Sequence, residues 1–520
     1  MKLLSKEVKK YIRENYTKDK NFSQFSREII EKFDLEIKIQ DSFRRQVSTY
    51  VRKEVLKETP HEDKKPLKLK KSRFYLLTWE QNNSTLHKEL WENILAYKEF
   101  LGAELAVIQG IYRQPGGGIT ALRWSKETQP YWDFTRHDIH KYVNVLSDIN
   151  IRPTAVSPLS GLDGISRDKT SILGHPKRHL VCLPTLEKAP HKALLTTMAI
   201  TLPNYTYSKE GKRGEFAHRY GFVIVEVRDK DVFHIRQVEA AKDGSFIDLI
   251  HEVSNGKVYK NKKSRAIVWG DIHVGQEDKR LVDKTKELIK TLNIDTSVLH
   301  DLADGESVNN HIVKDPIQQF KRFEEGKDDV FTELEQIKKF IIDLPTEKNI
   351  IVNSNHDNRF DRWINSSDWK KDIKNATAYL ELAQLALKDK QDKGLLVSIL
   401  EGDINIKGRI IPLGLNDSYR IKDIECAHHG HIGANGSRGS LSGFRTINVP
   451  VIVGHSHSLG CLDYAYSVGT STHLRLGYNT GASNWAQGHC IIHENGIVQQ
   501  IMFTRGEFTT FNINNNKNAK

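Results

Sequence analysis

The sequence predicts a multidomain protein of the α/β class, and three observations support this prediction. The chain has 520 residues, which exceeds one ordinary hydrophobic core and corresponds to roughly three domains of about 150 residues each. Apolar segments of strand length alternate with segments of helical periodicity from residue 74 onward. Before that point the periodicity is helical alone. We therefore expect four segments: a helical module at 1–58, a basic linker at 59–73, an α/β domain of unknown role at 74–261 and a second, layered α/β domain at 262–520.

The overall composition is that of a soluble globular protein. Charged residues make up 28% of the chain and hydrophobic residues 38%. We find no run of about 18 apolar residues and no signal-peptide stretch at the start. The four cysteines are far apart and lack CxxC spacing, which argues against a disulfide framework and a zinc knuckle. These features predict a protein without a membrane span that works in a reducing cytoplasm.

Most of the net charge of +12 lies at the amino-terminal end. Residues 1–75 contain 21 Lys and Arg against 12 Asp and Glu, an excess of +9. Helical spacing of apolar residues predicts three short helices in 1–58, the third at 43–56 after the capping residues Asp41 and Ser42. Three short helices with a basic third one resemble a helix-turn-helix, whose cationic side chains contact DNA phosphates. The predicted DNA-binding side chains are Arg44, Arg45, Arg52 and Lys53.

The basic segments also have simpler interpretations. A small three-helix bundle needs solvated charges on its outer faces whether or not it binds DNA, so a protein-interaction bundle is the alternative for 1–58. The lysines around Pro66 fit an extended, solvated tether, and they could also follow a phosphate backbone. The sequence leaves both choices open.

The middle segment begins with a strand, a helix and a strand. We predict strands at 74–78 and 104–109 with a helix at 86–101 between them. Further strands are predicted at 179–183, 194–201 and 222–227. The glycines at 116–118 form no phosphate-binding pattern. No chemistry is indicated for this segment.

In the last segment, five predicted strands each end in polar side chains. These strands are predicted at 266–269, 298–300, 349–352, 424–427 and 449–453, and helices at 281–292 and 320–342. Carboxyl ends of strands are the expected place for chemistry in a layered α/β fold. The side chains that follow the strands are, in chain order, Asp271, His273, Asp301, Asn355, His356, Asp357, His429, His455 and His457.

These side chains predict a centre for divalent metal ions. Alternation along a strand would place Asp271 and His273 on one side, where both could bind the same ion. His455 and His457 could do the same or be divided between two ions, and Asp301 is placed to bridge them. Oxygen and nitrogen ligands without thiolates suit manganese, iron or zinc better than copper. A single Asp-x-His is a weak signal, whereas the complete ordered set is a strong one.

The ordered motifs resemble those of the calcineurin-like metallophosphoesterases, which include nucleases of the SbcD and Mre-eleven type. The resemblance covers about 262–504. It rests on Gly270-Asp271-x-His273, Asp301-x-x-Asp304, Asn355-His356-Asp357, His429-Gly430 and Gly454-His455-x-His457. It implies a two-layered β-sandwich flanked by helices and two divalent cations, with Mn²⁺ expected first and Mg²⁺, Fe²⁺ or Zn²⁺ as alternatives.

The same resemblance implies a role for each site residue. One ion would be held by Asp271, His273, Asp301 and His457, and the second by Asp301, Asn355, His429 and His455. His356 would act as general acid or stabilise the transition state, and Asp357 would orient it.

The chain departs from the family pattern at two points. The family usually has Gly before the bridging aspartate, where this chain has His300. His428 and His431 also compete with His429 for the fourth motif. We favour His429, because a ligand histidine directly before Gly is the commoner arrangement. Asp304 is expected to cap a loop rather than to bind an ion.

The substrate is predicted from features outside the metal motifs. The protein phosphatase branch has Arg after the second aspartate and Glu after Asn-His, where this chain has Gly305 and Asp357. The basic amino-terminal end favours nucleic acid. The whole chain also resembles the pre-early, first-step-transfer deoxyribonucleases of T-five-type phages. The matched residues are 76–78, 81–83, His300-Asp301 and His428-His429-Gly430.

This second resemblance implies a phage-encoded deoxyribonuclease in the infected bacterial cytoplasm, connected with host DNA degradation and phage DNA transfer. DNA is then the expected partner, and a homo-oligomer is compatible with the sequence. Two alternatives stay open. One is a phosphatase or nucleotide phosphodiesterase whose basic end binds a partner, and the other is a DNA-binding scaffold with an inactive centre.

Overall fold

The structure is a computed structural model with several β-sheets and surrounding helices. It describes residues 4–16, 22–35, 40–51, 67–112, 123–186, 189–261, 263–309, 312, 315–388, 393–477 and 479–511. The chain divides into two compact units, the first of Met1–Pro66 and Arg113–Arg123 and the second of Leu67–Tyr112 and Trp124–Lys520. The predicted mixed α/β class is confirmed. Among the described residues, no helix has the length and apolar character needed to cross a bilayer.

The first unit contains three helices around one small core. They are α1 (Lys6–Asn15), α2 (Phe22–Lys32) and α3 (Gln40–Tyr50). The Ser5 hydroxyl accepts a hydrogen bond from the Val8 N–H at 3.2 Å and thereby caps α1. The buried side chains of this core are Val8, Ile12, Phe25, Ile29, Phe43, Val47 and Val51. Their spacing explains why the helical pattern could be read from the sequence.

The four predicted DNA-binding residues are only partly visible in this unit. Arg44 lies on α3 and its side chain is half-buried. The side chain of Arg45 lies outside the described residues, as do Arg52, Lys53 and most of the predicted linker at 59–73. DNA contact by this module therefore stays a prediction.

The other α-helices among the described residues lie in the second unit. They are α4 (Lys88–Leu101), α5 (Asp163–Ser166), α6 (Lys209–Phe216), α7 (Lys279–Thr291), α8 (Pro316–Glu324), α9 (Val330–Ile342), α10 (Arg359–Ser366), α11 (Ala376–Lys388), α12 (Leu395–Glu401) and α13 (Leu441–Phe444). The single helix predicted at 320–342 is wrong. Gly326 follows the end of α8 and has a left-handed backbone with φ 65°. The Asp329 carboxylate then accepts from the Thr332 N–H and begins α9.

The strands described in the second unit fall into four sheets. Those before residue 262 are β1 (Phe74–Gln81), β2 (Glu104–Gly110), β3 (Trp132–Asp133), β4 (His137–His140), β5 (Val143–Val145), β6 (Thr170–Leu173), β7 (His179–Leu183), β8 (Lys192–Thr196), β9 (Gly221–Val227), β10 (Phe233–Glu239), β11 (Phe246–Asp248), β12 (His251–Ser254) and β13 (Lys257–Lys260). Those after it are β14 (Ser264–Val268), β15 (Thr296–Leu299), β16 (Lys348–Val352), β17 (Ile410–Leu413), β18 (Arg420–Ile421), β19 (Ile424–Glu425), β20 (Val451–Val453), β21 (Gly460–Leu462), β22 (Ala465–Ser467), β23 (Gly488–His493) and β24 (Val498–Met502).

A six-stranded sheet carries three of the polar strand ends. Its order is β17-β16-β15-β14-β23-β24. β14, β15, β16 and β17 run parallel, so their carboxyl ends lie at one edge. All five strands predicted before the motifs are present, and none of their bounds differs from the prediction by more than two residues. The sheet therefore brings Asp271, Asp301 and Asn355 to the same edge.

A ten-stranded sheet carries the histidine motifs. Its order is β18-β19-β20-β22-β21-β7-β8-β6-β5-β4. β21 pairs antiparallel with β7, with Gly460 opposite Val181. Strands from both sides of the predicted boundary between 261 and 262 thus share one sheet. One hydrophobic core contains buried residues of this sheet and of the six-stranded sheet, among them Val268, Val298, Ile350, Ile452 and Cys461.

A five-stranded sheet, β10-β9-β1-β2-β3, and a three-stranded sheet, β11-β12-β13, complete the second unit. β1 and β2 run parallel and are joined through α4, as the strand, helix and strand pattern predicted. β9 was predicted at 222–227, whereas β3 has only two residues, too few to show a strand periodicity in the sequence.

Candidate metal centre

The candidate site is built on backbone that ordinary side chains rarely adopt. His273, Asp301, His455 and His457 have φ values of 47°, 41°, 70° and 53°. Left-handed backbone at non-glycine residues costs free energy and concentrates at functional sites. The expectation that strand alternation aligns Asp271 with His273 is wrong, because β14 ends at Val268. The turn at His273 brings the two side chains together instead.

The first cluster contains Asp271, His273, Asp301 and His457, all of them buried. His457 Nε2 lies 3.1 Å from Asp271 Oδ2 and 3.1 Å from His273 Nε2. His273 Nε2 lies 3.5 Å from Asp301 Oδ2. Ligands bound to one ion at about 2.0–2.2 Å are separated from each other by roughly 3.0–3.5 Å. These four side chains are therefore spaced as ligands of a single cation.

The second cluster contains Asp301 again, with His429 and His455. His429 Nε2 lies 3.2 Å from Asp301 Oδ2 and 3.1 Å from the Asn355 Oδ1 atom. Among the residues that the structure describes, Asp301 is the one shared by these two clusters. The structure brings together all seven side chains that the sequence predicted as metal ligands.

Hydrogen bonding to Asp304 orients His273. The carboxylate Oδ1 of Asp304 lies 3.1 Å from His273 Nδ1. When Nδ1 carries the proton and donates it to this carboxylate, Nε2 keeps its lone pair for an ion, which is the common arrangement of ligand histidines. Asp304 is nearly fully buried, and its pKa is held well below its usual range. Its burial opposes this shift, and the hydrogen bonds from His273 and His356 outweigh it.

His356 also depends on Asp304 rather than on Asp357. His356 Nδ1 lies 2.9 Å from the Asp304 carbonyl oxygen and 3.7 Å from its Oδ1. The backbone N–H of His356 donates to Asp301 Oδ1 at 3.2 Å. Burial lowers the pKa of His356, but the charge of Asp301 and the contact with Asp304 raise it above its ordinary value overall. The ring therefore retains a proton more readily than a free histidine.

Asp357 stabilises the loop that carries Asp301 instead of contacting His356. Its Oδ1 accepts from the Ala303 N–H at 2.8 Å, and its own N–H donates to the Ser354 hydroxyl at 3.1 Å. Burial, followed by the charge of Asp301, raises the pKa of the Asp357 carboxyl to about 6. The expected orienting role of Asp357 is replaced by this positioning of the loop.

The three competing histidines of the fourth motif take different places. His429 belongs to the second cluster. The His428 ring is stacked on Phe444, with a centroid distance of 6.1 Å. The His431 ring lies beside the cluster, with its centroid 5.3 Å from that of His429 and 6.0 Å from that of His455. This geometry favours His429 as the ligand.

The His300 ring packs close to Gly454, next to the metal centre, and leaves no room for a side chain at that glycine. Both ring nitrogens of His300 are buried without a partner among the described residues, and burial lowers its pKa to about 4. A Cβ atom at Gly454 would lie 2.3 Å from Asp271 Oδ1 and 3.0 Å from His300 Cγ. Only glycine therefore fits between the Asp271 carboxylate and this ring.

The electrostatics of the centre favour cations. Burial alone would raise the pKa of Asp301, but the charges of His429 and His356 hold it well below its usual range. Burial likewise opposes protonation of His429, yet the charge of Asp301 and their hydrogen bond raise its pKa to about 9. A place that attracts a proton this strongly also attracts a divalent ion, which would displace that proton.

The donor atoms fit the divalent ions that the sequence predicted. They are carboxylate and amide oxygens and imidazole nitrogens, which suit manganese, magnesium, iron or zinc. Asp271 Oδ1 is buried and has no hydrogen-bond partner among the described residues, a costly state that a bound cation would relieve. All four cysteines are buried, and burial raises their pKa, so none supplies a thiolate. These buried Asp and His clusters can hold metal ions.

Sequence reasoning missed two residues of the site, Asp304 and Arg359. The Asp304 motif position was visible, but its hydrogen bonds to two histidines were not. Arg359 follows Asn355-His356-Asp357 by two residues, and its Nη1 donates to the Asp304 carbonyl at 2.7 Å. A cleft of about 890 Å³ opens beside Asp304 and Glu306.

Comparison with known proteins identifies one relative of viral origin. No protein-family model matches this chain, and no solved structure is significantly similar to it. Over 476 residues the chain is 29% identical to Protein A1 of Escherichia phage T5, covering 85% of this chain and 83% of that protein. The predicted resemblance to a phage protein is confirmed, while the name of that protein states no activity. The chain is thus similar, over most of its length, to a protein of a bacteriophage.

Proposed function

We propose that this protein is a metal-dependent phosphoesterase that hydrolyses phosphodiester bonds of DNA. The observation that carries the proposal is Asp301, which belongs to two clusters of ligand atoms at once. A carboxylate shared between two ligand sets is the arrangement needed to hold a pair of divalent cations a few ångströms apart. When bound, such a pair supplies Lewis acidity to a phosphoryl group.

The protein's own residues would perform the remaining steps. Asp271, His273 and His457 would hold one cation with Asp301, and Asn355, His429 and His455 the other. The Nδ1–H of His356 donates to the Asp304 carbonyl, and because the pKa of the ring is raised, Nε2 would carry a second proton that it can donate to the leaving oxygen. Asp357 would keep the loop of Asp301 in place through the Ala303 N–H.

DNA is the proposed substrate for two reasons outside the centre. The amino-terminal 75 residues carry +9 of the net charge of +12, which suits a polyanion. The similarity to Protein A1 of phage T5 supports a role in phage infection. We therefore place the activity in the infected bacterial cytoplasm, where it would degrade host DNA and accompany transfer of phage DNA.

The first experiment incubates the purified protein with closed-circular, linear and single-stranded DNA in Mn²⁺, Mg²⁺, Zn²⁺ or EDTA. We expect cleavage that needs a divalent ion and that Asp301→Asn abolishes together with metal binding, measured by calorimetry. The exposed Asp423→Asn serves as the matched control. Metal-dependent cleavage that persists in Asp301→Asn would refute the proposed centre.

The same samples distinguish the alternatives. Turnover of p-nitrophenyl phosphate or cyclic nucleotides with no DNA cleavage would support a phosphatase or nucleotide phosphodiesterase instead. DNA binding by a protein that takes up no metal would support an inactive scaffold. Replacing Arg45, Arg52 and Lys53 together with Gln tests the amino-terminal module, and we expect a larger rise in KM for DNA than for bis(p-nitrophenyl) phosphate.

A further inference from the structure

Two arginines at the start of α10 lie beside the metal centre and form no salt bridge with a described residue. Arg359 and Arg362 are one turn apart, so their side chains leave the same face of the helix. Arg359 is half-buried and Arg362 is exposed. Among the described residues, neither has a carboxylate oxygen within 4.0 Å of its guanidinium nitrogens. The two arginine side chains thus lie close to His356 and Asn355, which the proposed function assigns to phosphoester hydrolysis.

Arg359 is held tightly at the centre by backbone and ring contacts. Its Nη1 donates to the Asp304 carbonyl at 2.7 Å, and its Nη2 lies 3.5 Å from His356 Nε2. The side chain crosses Gly305, where a Cβ atom would lie 2.7 Å from Arg359 Cδ. Gly305 also has φ 67°, so the backbone and the space both require glycine there. The absence of a side chain at Gly305 thus leaves the space that the Arg359 side chain occupies.

The contacts of Arg359 leave most of its hydrogen-bonding capacity unused. A guanidinium has five N–H donors in a planar fork, and the contacts to Asp304 and His356 occupy at most two of them. The charge of Arg359 acts on Glu306, but among the described residues no carboxylate oxygen lies within 4.0 Å of its guanidinium, so a bound anion would stabilise this half-buried charge further. Arginine forks pair bidentately with phosphate oxygens. A phosphate is therefore the ligand that best fits the remaining donors of Arg359.

Arg362 extends the positive edge in the direction of the second cluster. Its Nη2 donates to the Asn355 carbonyl at 2.9 Å, directly before His356. Its charge also acts on His431, which lies beside His429 and His455. Arg359 and Arg362 contact the loop at different carbonyls, so each guanidinium can bind a phosphate of its own.

We propose that Arg359 binds the phosphate that is attacked at the metal centre and that Arg362 binds a neighbouring phosphate of the same strand. This inference rests on the proposed phosphoesterase function and names its substrate class, a polynucleotide rather than a compound with one phosphate. Arg359 is a substrate-binding residue here, and it also positions the Asp304 carbonyl.

The test measures binding as well as turnover in the full-length, Mn²⁺-loaded protein. The probes are inorganic phosphate, which has one phosphate group, and a 5′-phosphorylated thymidine dinucleotide, which has two. The variants are Arg359→Gln, Arg359→Lys and Arg362→Gln. Arg228→Gln is the matched control, because Arg228 is an exposed arginine beside Asp229, in the connection between β9 and β10.

We expect Arg359→Gln to weaken binding of both probes by about 10- to 100-fold, the loss expected when charge-assisted hydrogen bonds to a phosphate are removed. Arg359→Lys should recover part of the affinity, because it keeps the charge without the fork. Arg362→Gln should weaken the dinucleotide more than inorganic phosphate. Metal content should stay at the wild-type level in all variants, which a merely structural role of Arg359 would not predict.

The possible outcomes test the phosphate-binding roles of the two arginines separately from the proposed phosphoesterase function. Unchanged phosphate affinity in Arg359→Gln overturns the assignment of Arg359, and equal losses for both probes in Arg362→Gln overturn the assignment of Arg362. If Arg359→Gln loses phosphate affinity while the wild-type protein cleaves no phosphoester, the phosphate site stands and the proposed function fails.

Discussion

The ring of His489 accepts a hydrogen bond from the Gly270 N–H at 2.8 Å. Gly270 directly precedes Asp271, so β23 supports the first ligand of the metal centre from more than 200 positions away in the chain. The other ring nitrogen of His489, Nε2, lies 3.0 Å from the Thr285 hydroxyl of α7. Accepting at Nδ1 requires the neutral ring. Burial lowers the pKa of His489 to about 3, which keeps it neutral at physiological pH.

Because the His489 ring is neutral in the folded protein, we expect the free energy of unfolding to decrease in acid. Because its pKa is lower in the folded than in the unfolded protein, its contribution is complete above about pH 6.5 and is lost as the pH falls toward 3. One such group costs about 2 kcal/mol of unfolding free energy between pH 7 and pH 5. We expect His489→Gln to remove this part of the pH dependence, measured by urea unfolding at several pH values. Parallel pH profiles for the variant and the wild type would show that His489 does not titrate in this way.

Gly454→Ala should damage the first metal cluster selectively. The added Cβ would meet Asp271 Oδ1 at 2.3 Å and His300 Cγ at 3.0 Å, so the carboxylate or the ring must move. We expect metal affinity to fall by about 10- to 100-fold, as it does when ligand orientation is lost. Gly408→Ala is the control, because a Cβ there meets no atom within 4 Å. Isothermal calorimetry with Mn²⁺ compares the two, and equal affinities would contradict the packing argument.

Comparing Asp304→Asn with Asp357→Asn should show which of these two carboxylates supports metal binding and turnover. Asp304 accepts from His273 and lies beside His356, so its replacement should reduce metal affinity by about 10- to 100-fold and lower kcat. Asp357→Asn keeps an oxygen that can accept from the Ala303 N–H and should have the smaller effect. Metal titrations and single-turnover cleavage provide the comparison. A larger loss in Asp357→Asn would restore the role that the sequence alone predicted.

The loss of kcat in His356→Ala should depend on the leaving group of the substrate. A general acid contributes about 10²- to 10⁴-fold where the leaving oxygen needs a proton. A DNA alkoxide needs one, whereas p-nitrophenolate leaves without it. We therefore expect kcat for DNA to fall by at least 10²-fold and kcat for bis(p-nitrophenyl) phosphate to fall much less. Equal losses on both substrates would assign His356 to binding or to the support of Asp301 rather than to proton donation.

The elements with strong local patterns could be predicted from the sequence. β7 was predicted with its observed bounds, and β9, β16 and α4 begin or end within two residues of the prediction. Hydrophobic periodicity and capping residues act over a few positions, so they are visible in one segment. The break between α8 and α9 was missed because one glycine at 326 ends a helix within an otherwise continuous apolar pattern.

The pairing of strands could not be predicted in the same way. β21 lies next to β7, although about 280 residues separate them in the chain. A short apolar strand indicates that it will be buried but not which partner will cover it. For this reason the sequence suggested a boundary at 261, and the ten-stranded sheet contains strands from both sides of it.

By itself the sequence determined which chemical groups are present and where they follow strands. It determined that these groups are oxygen and imidazole ligands, that thiolates are absent among them, and that positive charge is concentrated at one end. Tertiary structure decided which atoms face each other. It turned His273 and His457 through left-handed backbone, placed Asp304 rather than Asp357 beside His356, and laid Arg359 across Gly305. Residue type is local information, whereas these contacts depend on packing between segments far apart in the chain, which stabilises backbone that no local preference would select.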